Sequence, residues 1–342
     1  MKLGYHIGYW STGPPPGALD AILSAEKLGF DSFWTAESYG SDALTPLAWW
    51  GSSTSNIKLG TNLVQIAART PTATAMAALT MDHLSGGRFI LGLGVSGPQV
   101  VEGWYGQPYP KPLARTREYV DIVRQVFARA EPVRFDGQHF QLPLDGGTGL
   151  GKALKPTVHP LLADIPIYLG AEGPKNVALA AEIADGWQAI FFSPTSDEFY
   201  RTALAEGFAR PGARRTAEDF EVAASVPVIV HDDVEVAADF IRPHLALYIG
   251  GMGAKQANFH KDVFARMGYE SVTEKVQELY LAGQKDAAVA AIPTALVEDV
   301  ALIGPKAKVK DDLARWEESC VTTLLVQGSA ELLPGIAEVI LG

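Results

Sequence analysis

Short apolar runs and helical spacings alternate along this chain. Residues 3–10, 30–36, 57–66, 88–95, 166–170, 186–192, 220–231 and 322–327 read as strands. Helical patterns cover 17–29, 44–55, 70–85, 115–129, 174–184, 197–208, 306–317 and 330–341. The third of these starts with Thr70-Pro71, a capping hydroxyl followed by a proline whose missing N–H costs nothing there, and stops at Gly86-Gly87. Strands that alternate with helices pair in parallel through right-handed crossovers. About eight of them suit a closed (β/α)₈ TIM barrel, with an open doubly wound sheet as the alternative. No linker divides the 342 residues, so one domain spans 1–342. Two segments break the rhythm and read as insertions. Residues 131–160 carry an added hairpin and a glycine-rich loop, and 234–300 are mostly helical.

Composition narrows the function classes. The chain carries 28 Lys and Arg against 39 Asp and Glu, a formal charge of −11. Nucleic-acid affinity rests on cations that neutralise phosphates, so no nucleic-acid partner is expected. The single cysteine, Cys320, cannot form a disulfide within the chain, and a cytoplasmic home is expected. No secretory pattern and no membrane-spanning apolar stretch is visible, so no membrane partner is expected.

Two glycine motifs point to nucleotides and fail on context. Gly92, Gly94 and Gly97 fit G-x-G-x-x-G, but no strong helix follows at once and no acidic strand tip lies about twenty residues on. A tight strand-end loop or a cofactor loop at a barrel mouth remains. Gly146 and Gly151-Lys152 approach a P-loop, but Ala153 lacks the hydroxyl for Mg²⁺. The seven histidines, His6 among them, show no metal-ligand spacing, and no metal site is expected.

Chemistry in a parallel barrel collects where the strands end. Those ends nominate Tyr9-Trp10-Ser11, Glu37-Ser38-Tyr39, Asn62-Leu63-Val64-Gln65 with Arg69 beyond, Gly94-Val95-Ser96-Gly97, Gly170-Ala171-Glu172-Gly173 and Phe192-Ser193. Gly173-Pro174-Lys175 opens a helix, whose first N–H groups either bind an anion or merely set a turn. Trp10, Tyr39, Trp49, Trp104 and Tyr105 form an aromatic rim suited to a planar ligand or to core packing.

Met81-Asp82-His83-Leu84-Ser85-Gly86-Gly87-Arg88-Phe89, Gly29-Phe30-Asp31-Ser32-Phe33-Trp34, Leu59-Gly60-Thr61-Asn62 and Ile167-Tyr168-Leu169-Gly170-Ala171-Glu172-Gly173-Pro174 together resemble the luciferase-like monooxygenase superfamily. Within it, Tyr39-Gly40-Ser41-Asp42-Ala43-Leu44-Thr45-Pro46, Val95-Ser96-Gly97-Pro98-Gln99 and Gly147-Thr148-Gly149-Leu150-Gly151-Lys152 are similar to the F420-dependent branch of actinobacteria. The resemblance implies a TIM barrel with a cofactor across the strand tips and an oxidoreductase that moves a hydride between coenzyme F420 and a small-molecule substrate. It implies a non-proline cis peptide at Asn62-Leu63 behind the deazaflavin ring, and Val95, Ser96 and Gly97 beside the ring. It places Glu172, Gly173 and Ser193 at the cofactor's phosphate end, with Gly170, Ala171 and Pro174 around them. Gln65 and Gly94 complete the expected cofactor set. Glu37 and Ser38 are the expected catalytic pair, with Glu37 also bonded to the ring. Several members of the branch carry a histidine where this chain has Ser38, and serine alone is a poor base. Two alternatives stand beside this reading. One is an FMN-dependent monooxygenase of the same fold, and the other is a non-catalytic F420-binding protein. A homodimer is expected.

Overall fold

The computed structural model describes residues 1–162, 164–253 and 258–342. Among them eight parallel strands close into a barrel. They are β1 (Lys2–His6), β2 (Ser32–Thr35), β3 (Lys58–Thr61), β4 (Phe89–Gly94), β5 (Ile167–Gly170), β6 (Gly186–Ile190), β7 (Glu221–Ser225) and β8 (Thr323–Val326). Each bonds to the next in chain order, and β8 returns to β1 with Lys2 opposite Thr323. The ring also needs β3 to meet β4, which it does with Leu59 opposite Phe89. The expected (β/α)₈ architecture is therefore present, and no helix among the described residues is long and apolar enough to cross a membrane.

Side chains alternate across each strand, so every strand serves two cores. The inward set includes Trp34, Ile90, Tyr168, Ala223 and Leu325, which pack on one another and fill the barrel. Gly60 makes room for this plug, because a Cβ there would lie 2.2 Å from the Trp34 ring. The outward set packs against the helices, with Ile22, Leu47, Tyr119, Val123 and Trp316 fully buried. Burying each such side chain contributes about 1.5–3 kcal/mol. The helix Pro71–Ser85 forms as its sequence suggests. Thr70 accepts from the Ala73 N–H, and Gly86 turns the chain out at φ 66°.

Three readings change. The run 57–66 is not one strand, since β3 stops at Thr61 and Val64–Gln65 resumes the pairing beside β4. The run 220–231 is broken by Pro227, which has no N–H for a central ladder. Val228–Val230 instead pairs outside the barrel with Leu302–Gly304. The run 3–10 ends at His6, because Gly8 takes φ 78° and turns the backbone.

The expected insertion at 131–160 contains a short antiparallel ladder of Phe135–Asp136 with Gln141–Leu142. That at 234–300 contains the helices Val234–Asp239, Arg242–Gly250, Phe259–Phe264, Glu270–Leu281, Lys285–Ala290 and Thr294–Val300. Its residues 254–257 lie outside the described set. These helices build a second apolar cluster around Leu245, Ile249, Phe264, Val276 and Leu296, and Phe191 from the end of β6 inserts into it.

At the N-terminal end of the strands, Asp185 is buried just before β6. Its carboxylate accepts from the Ile167 N–H at 2.8 Å and pairs with Arg124, Arg214 and Arg215. Asp164 joins the same three arginines. This charge network lies opposite the strand tips and serves the frame.

Candidate active site

The bulge after β3 organises the mouth. The Asn62–Leu63 peptide is cis, as the family resemblance implies. Leu63 then lays its side chain over two glycines. A Cβ on Gly94 would stand 2.4 Å from Leu63, and one on Gly170 would stand 2.3 Å from it. Three nominated residues from separate strand ends thus meet at one point, and glycine is what lets them.

Glu37, 6% exposed, anchors this bulge to the end of β2. Its carboxylate accepts from the Gln65 N–H at 3.1 Å and the Ala43 N–H at 3.3 Å. The Arg69 guanidinium bonds both of its oxygens, at 3.1 and 2.9 Å. The carboxylate nominated for the cofactor ring is thus engaged by the protein on both oxygens. Ser38 is half-buried, and its carbonyl accepts from the Gln65 side-chain amide at 2.9 Å. Gln65 Oε1 is left buried with no donor.

Beyond β4, Val95 packs against the core, and Ser96 holds the left-handed conformation at φ 59°. The Ser96 carbonyl accepts from the Tyr109 hydroxyl at 3.1 Å. Gly97 then caps a short helix, Pro98–Gly103. The sequence reading expected no helix directly after these glycines. Pro98 at its first position explains it, because that residue's fixed φ suits a first turn.

The end of β5 carries contacts of a different kind. Ala171 is buried, and its carbonyl accepts from the Trp187 indole at 2.8 Å. The Glu172 side chain meets His260 Nδ1 at 2.8 Å, and its carbonyl accepts from Arg266 at 3.0 Å. Arg266 of the 234–300 insertion therefore ties down this strand tip, and His260 stands beside its carboxylate. Gly173 caps the helix Pro174–Ile183 with no side-chain hydrogen bond to it, and a Cβ on Gly173 would meet nothing within 4 Å. Pro174 and Lys175 are exposed. A helix start left open in this way suits an anion. Ser193 is fully buried, with its hydroxyl 2.7 Å from the Thr195 hydroxyl.

Residues that the sequence reading passed over complete the mouth. His6 is the last residue of β1 and 7% exposed. Burial pushes its imidazole down to about 4, so it is neutral at ordinary pH. Gln188 on β6 donates to the Thr61 carbonyl at 2.9 Å and leaves Oε1 buried without a donor. Tyr248 of the insertion is buried against Tyr9 and near Glu172, which pushes its phenol far up. The signal for His6 was parity, since it stands two residues on from Gly4, whose missing side chain faces Trp34 and Leu325 inside the barrel.

Comparison with known proteins places this architecture. Residues 5–323 match the luciferase-like monooxygenase model. A Mycobacterium tuberculosis protein provisionally named a coenzyme F420-dependent oxidoreductase is 59% identical over 343 residues, covering 99% of each chain. A 5,10-methylenetetrahydromethanopterin reductase of Archaeoglobus fulgidus is 33% identical over 231 residues, 67% of this chain and 65% of that one. The solved coenzyme F420 dependent tetrahydromethanopterin reductase of Methanopyrus kandleri superposes with a TM-score of 0.80 at 23% identity, over 99% of this chain and 98% of the other. The match from β1 to β8, on a closed barrel with the bulge after β3, shows that the chain is an oxidoreductase of the luciferase-like monooxygenase family.

Proposed function

We propose that this chain is an F420-dependent oxidoreductase that transfers a hydride between the cofactor and a small organic substrate at the barrel mouth. One observation carries the choice of cofactor, the end-to-end likeness to the M. tuberculosis protein.

The residues present fit such a group. Leu63 fills the space above Gly94 and Gly170 and presents an apolar surface for a planar ring. Gln65 Oε1 and Gln188 Oε1 are buried acceptors that lack a donor, and the polar edge of a deazaflavin can supply one. The uncapped helix start at Gly173, with Lys175 exposed beside it, suits the cofactor's phosphate end. Val95, Ser96 and Gly97, directly beyond the same strand end as Gly94, would form the wall beside the ring. Ala171 and Ser193, both buried and internally bonded, shape the phosphate end from behind. Glu37 and Arg69 fix the bulge that would seat the ring.

The bound deazaflavin supplies the hydride acceptor or donor. The chain would supply the orientation, through the seat at Leu63 and the helix start at Gly173. Titration of the purified protein with F420 and, separately, with FMN tests the reading by cofactor fluorescence. Micromolar F420 binding with none for FMN is expected. FMN binding without F420 binding would overturn the reading in favour of a flavin monooxygenase.

A further inference from the structure

His6 was one of seven scattered histidines in the sequence, yet it ends β1 on the inward face of the barrel. Its two nitrogens are committed in different senses. Nδ1 accepts from the Gly8 backbone N–H at 2.9 Å, and the Gln327 side-chain nitrogen stands 3.4 Å from it. An acceptor at Nδ1 places the single proton of a neutral imidazole on Nε2. Nε2 in turn faces the Asn62 carbonyl at 3.5 Å, at the bulge that carries Leu63. The groups that meet the ring nitrogens are therefore a backbone N–H, an amide and a carbonyl, none of which titrates.

We propose that His6 is a positioning residue of this site, a neutral Nε2–H imidazole that holds the Asn62 carbonyl and so sets the bulge on which the cofactor ring rests. It does not replace the histidine missing at Ser38. It acts from beneath the bulge, through Asn62, and handles no substrate proton. The inference rests on the proposed cofactor seat and adds a residue to it.

The surrounding backbone explains why a histidine suits this place. Gly8 at φ 78° bends the chain back so that its own N–H reaches Nδ1. A Cβ on Gly8 would meet Gln327 Oε1 at 3.4 Å, so the bend and the amide are packed together. Imidazole carries its acceptor and its N–H on opposite sides of one rigid ring, so it can accept from a backbone group two residues on and still present an N–H to the bulge. A glutamine amide keeps a donor for the Asn62 carbonyl without that fixed ring geometry, and a leucine keeps neither contact.

Two measurements test the assignment. ¹⁵N-histidine NMR of the unliganded protein should show His6 with its proton on Nε2 and no titration between pH 5.5 and 8. A proton on Nδ1, or a midpoint in the ordinary histidine range, would overturn the proposal whether or not the cofactor binds. F420 titration of His6→Leu, His6→Gln and wild type follows, with thermal melts of each. His6→Leu should weaken F420 binding about tenfold, the scale of one hydrogen bond lost with its acceptor left dry. His6→Gln should regain most of that affinity at a melting temperature no higher than that of His6→Leu. Equal affinity in all three proteins, or a Gln variant as weak as the Leu variant at matched stability, would overturn the proposal. If wild type itself fails to bind F420, the cofactor reading falls, while the NMR result still decides the tautomer.

Discussion

Glu37→Ala removes the acceptor for the N–H groups of Ala43 and Gln65 and for the Arg69 guanidinium. Each dry N–H left without a partner costs about 1–3 kcal/mol. Deleting one member of a buried ion pair costs about 3–5 kcal/mol. The two costs overlap, because the Arg69 side chain is 26% exposed and recovers part of its solvation from water. A total of about 4 kcal/mol is therefore expected. At an unfolding entropy of about 2.1 cal/mol/K per residue, a chain of 342 residues should melt about 6 °C lower. Glu37→Gln keeps one acceptor oxygen in nearly the same volume and should lose about half as much. Calorimetry of the cofactor-free protein reads this directly. A melt within about 1 °C of wild type, together with a collapse of F420 affinity, would rule out this structural role. Glu37 would then meet the cofactor and not the frame.

Gly173→Val should lower the melt by no more than about 1–2 °C, since a Cβ there meets nothing within 4 Å and only the helix cap is weakened, yet weaken F420 binding at least tenfold (roughly one strong anion contact). Unchanged affinity would remove the phosphate end from this helix start. Asp185→Ala should destabilise by about 3–5 kcal/mol, because three arginines lose a buried partner at the end of the barrel away from the mouth. In calorimetry its melt should fall while the F420 affinity of the folded protein stays at the wild-type value, and a loss of affinity alone would contradict that separation. Protonation of His6 is the fourth case. Its folded-state value lies near 4 against 6.5 when free, so the unfolded chain binds the extra proton first. Its contribution to stability is therefore full above pH 6.5 and is lost as pH falls toward 4. His6→Leu should reduce the slope of unfolding free energy against pH between 6.5 and 4 by up to one proton's worth, about 1.4 kcal/mol per pH unit. An unchanged slope would place the acid sensitivity elsewhere.

The barrel was legible because the alternation of apolar runs with helical spacings is a direct consequence of parallel strands buried on both faces. Boundaries were harder, and one of them hid a residue. Reading β1 through Trp10 moved its tip four residues past His6, because a glycine inside an apolar run gives no sign that it will take φ 78°. Pro227 marks the break, but the valines on either side of it mask that signal in an apolar run. The most distinctive stretch of the resemblance turns out to be framework. Asp82 accepts from the N–H groups of Leu161 and Leu162, Gly86 and Gly87 turn the helix end, and Arg88 ties Thr54 and Ile57 together. The insertion's contribution was illegible for a different reason. His260 and Arg266 reach Glu172 across about ninety residues of chain, and no local spacing reports such a contact.

A structure of the protein with F420 bound decides where the cofactor sits. The deazaflavin ring should lie against Leu63 over Gly94 and Gly170, with the phosphate at the Gly173–Pro174 helix start. A cofactor seated away from the strand tips, or with its ring and phosphate ends exchanged, would contradict that placement.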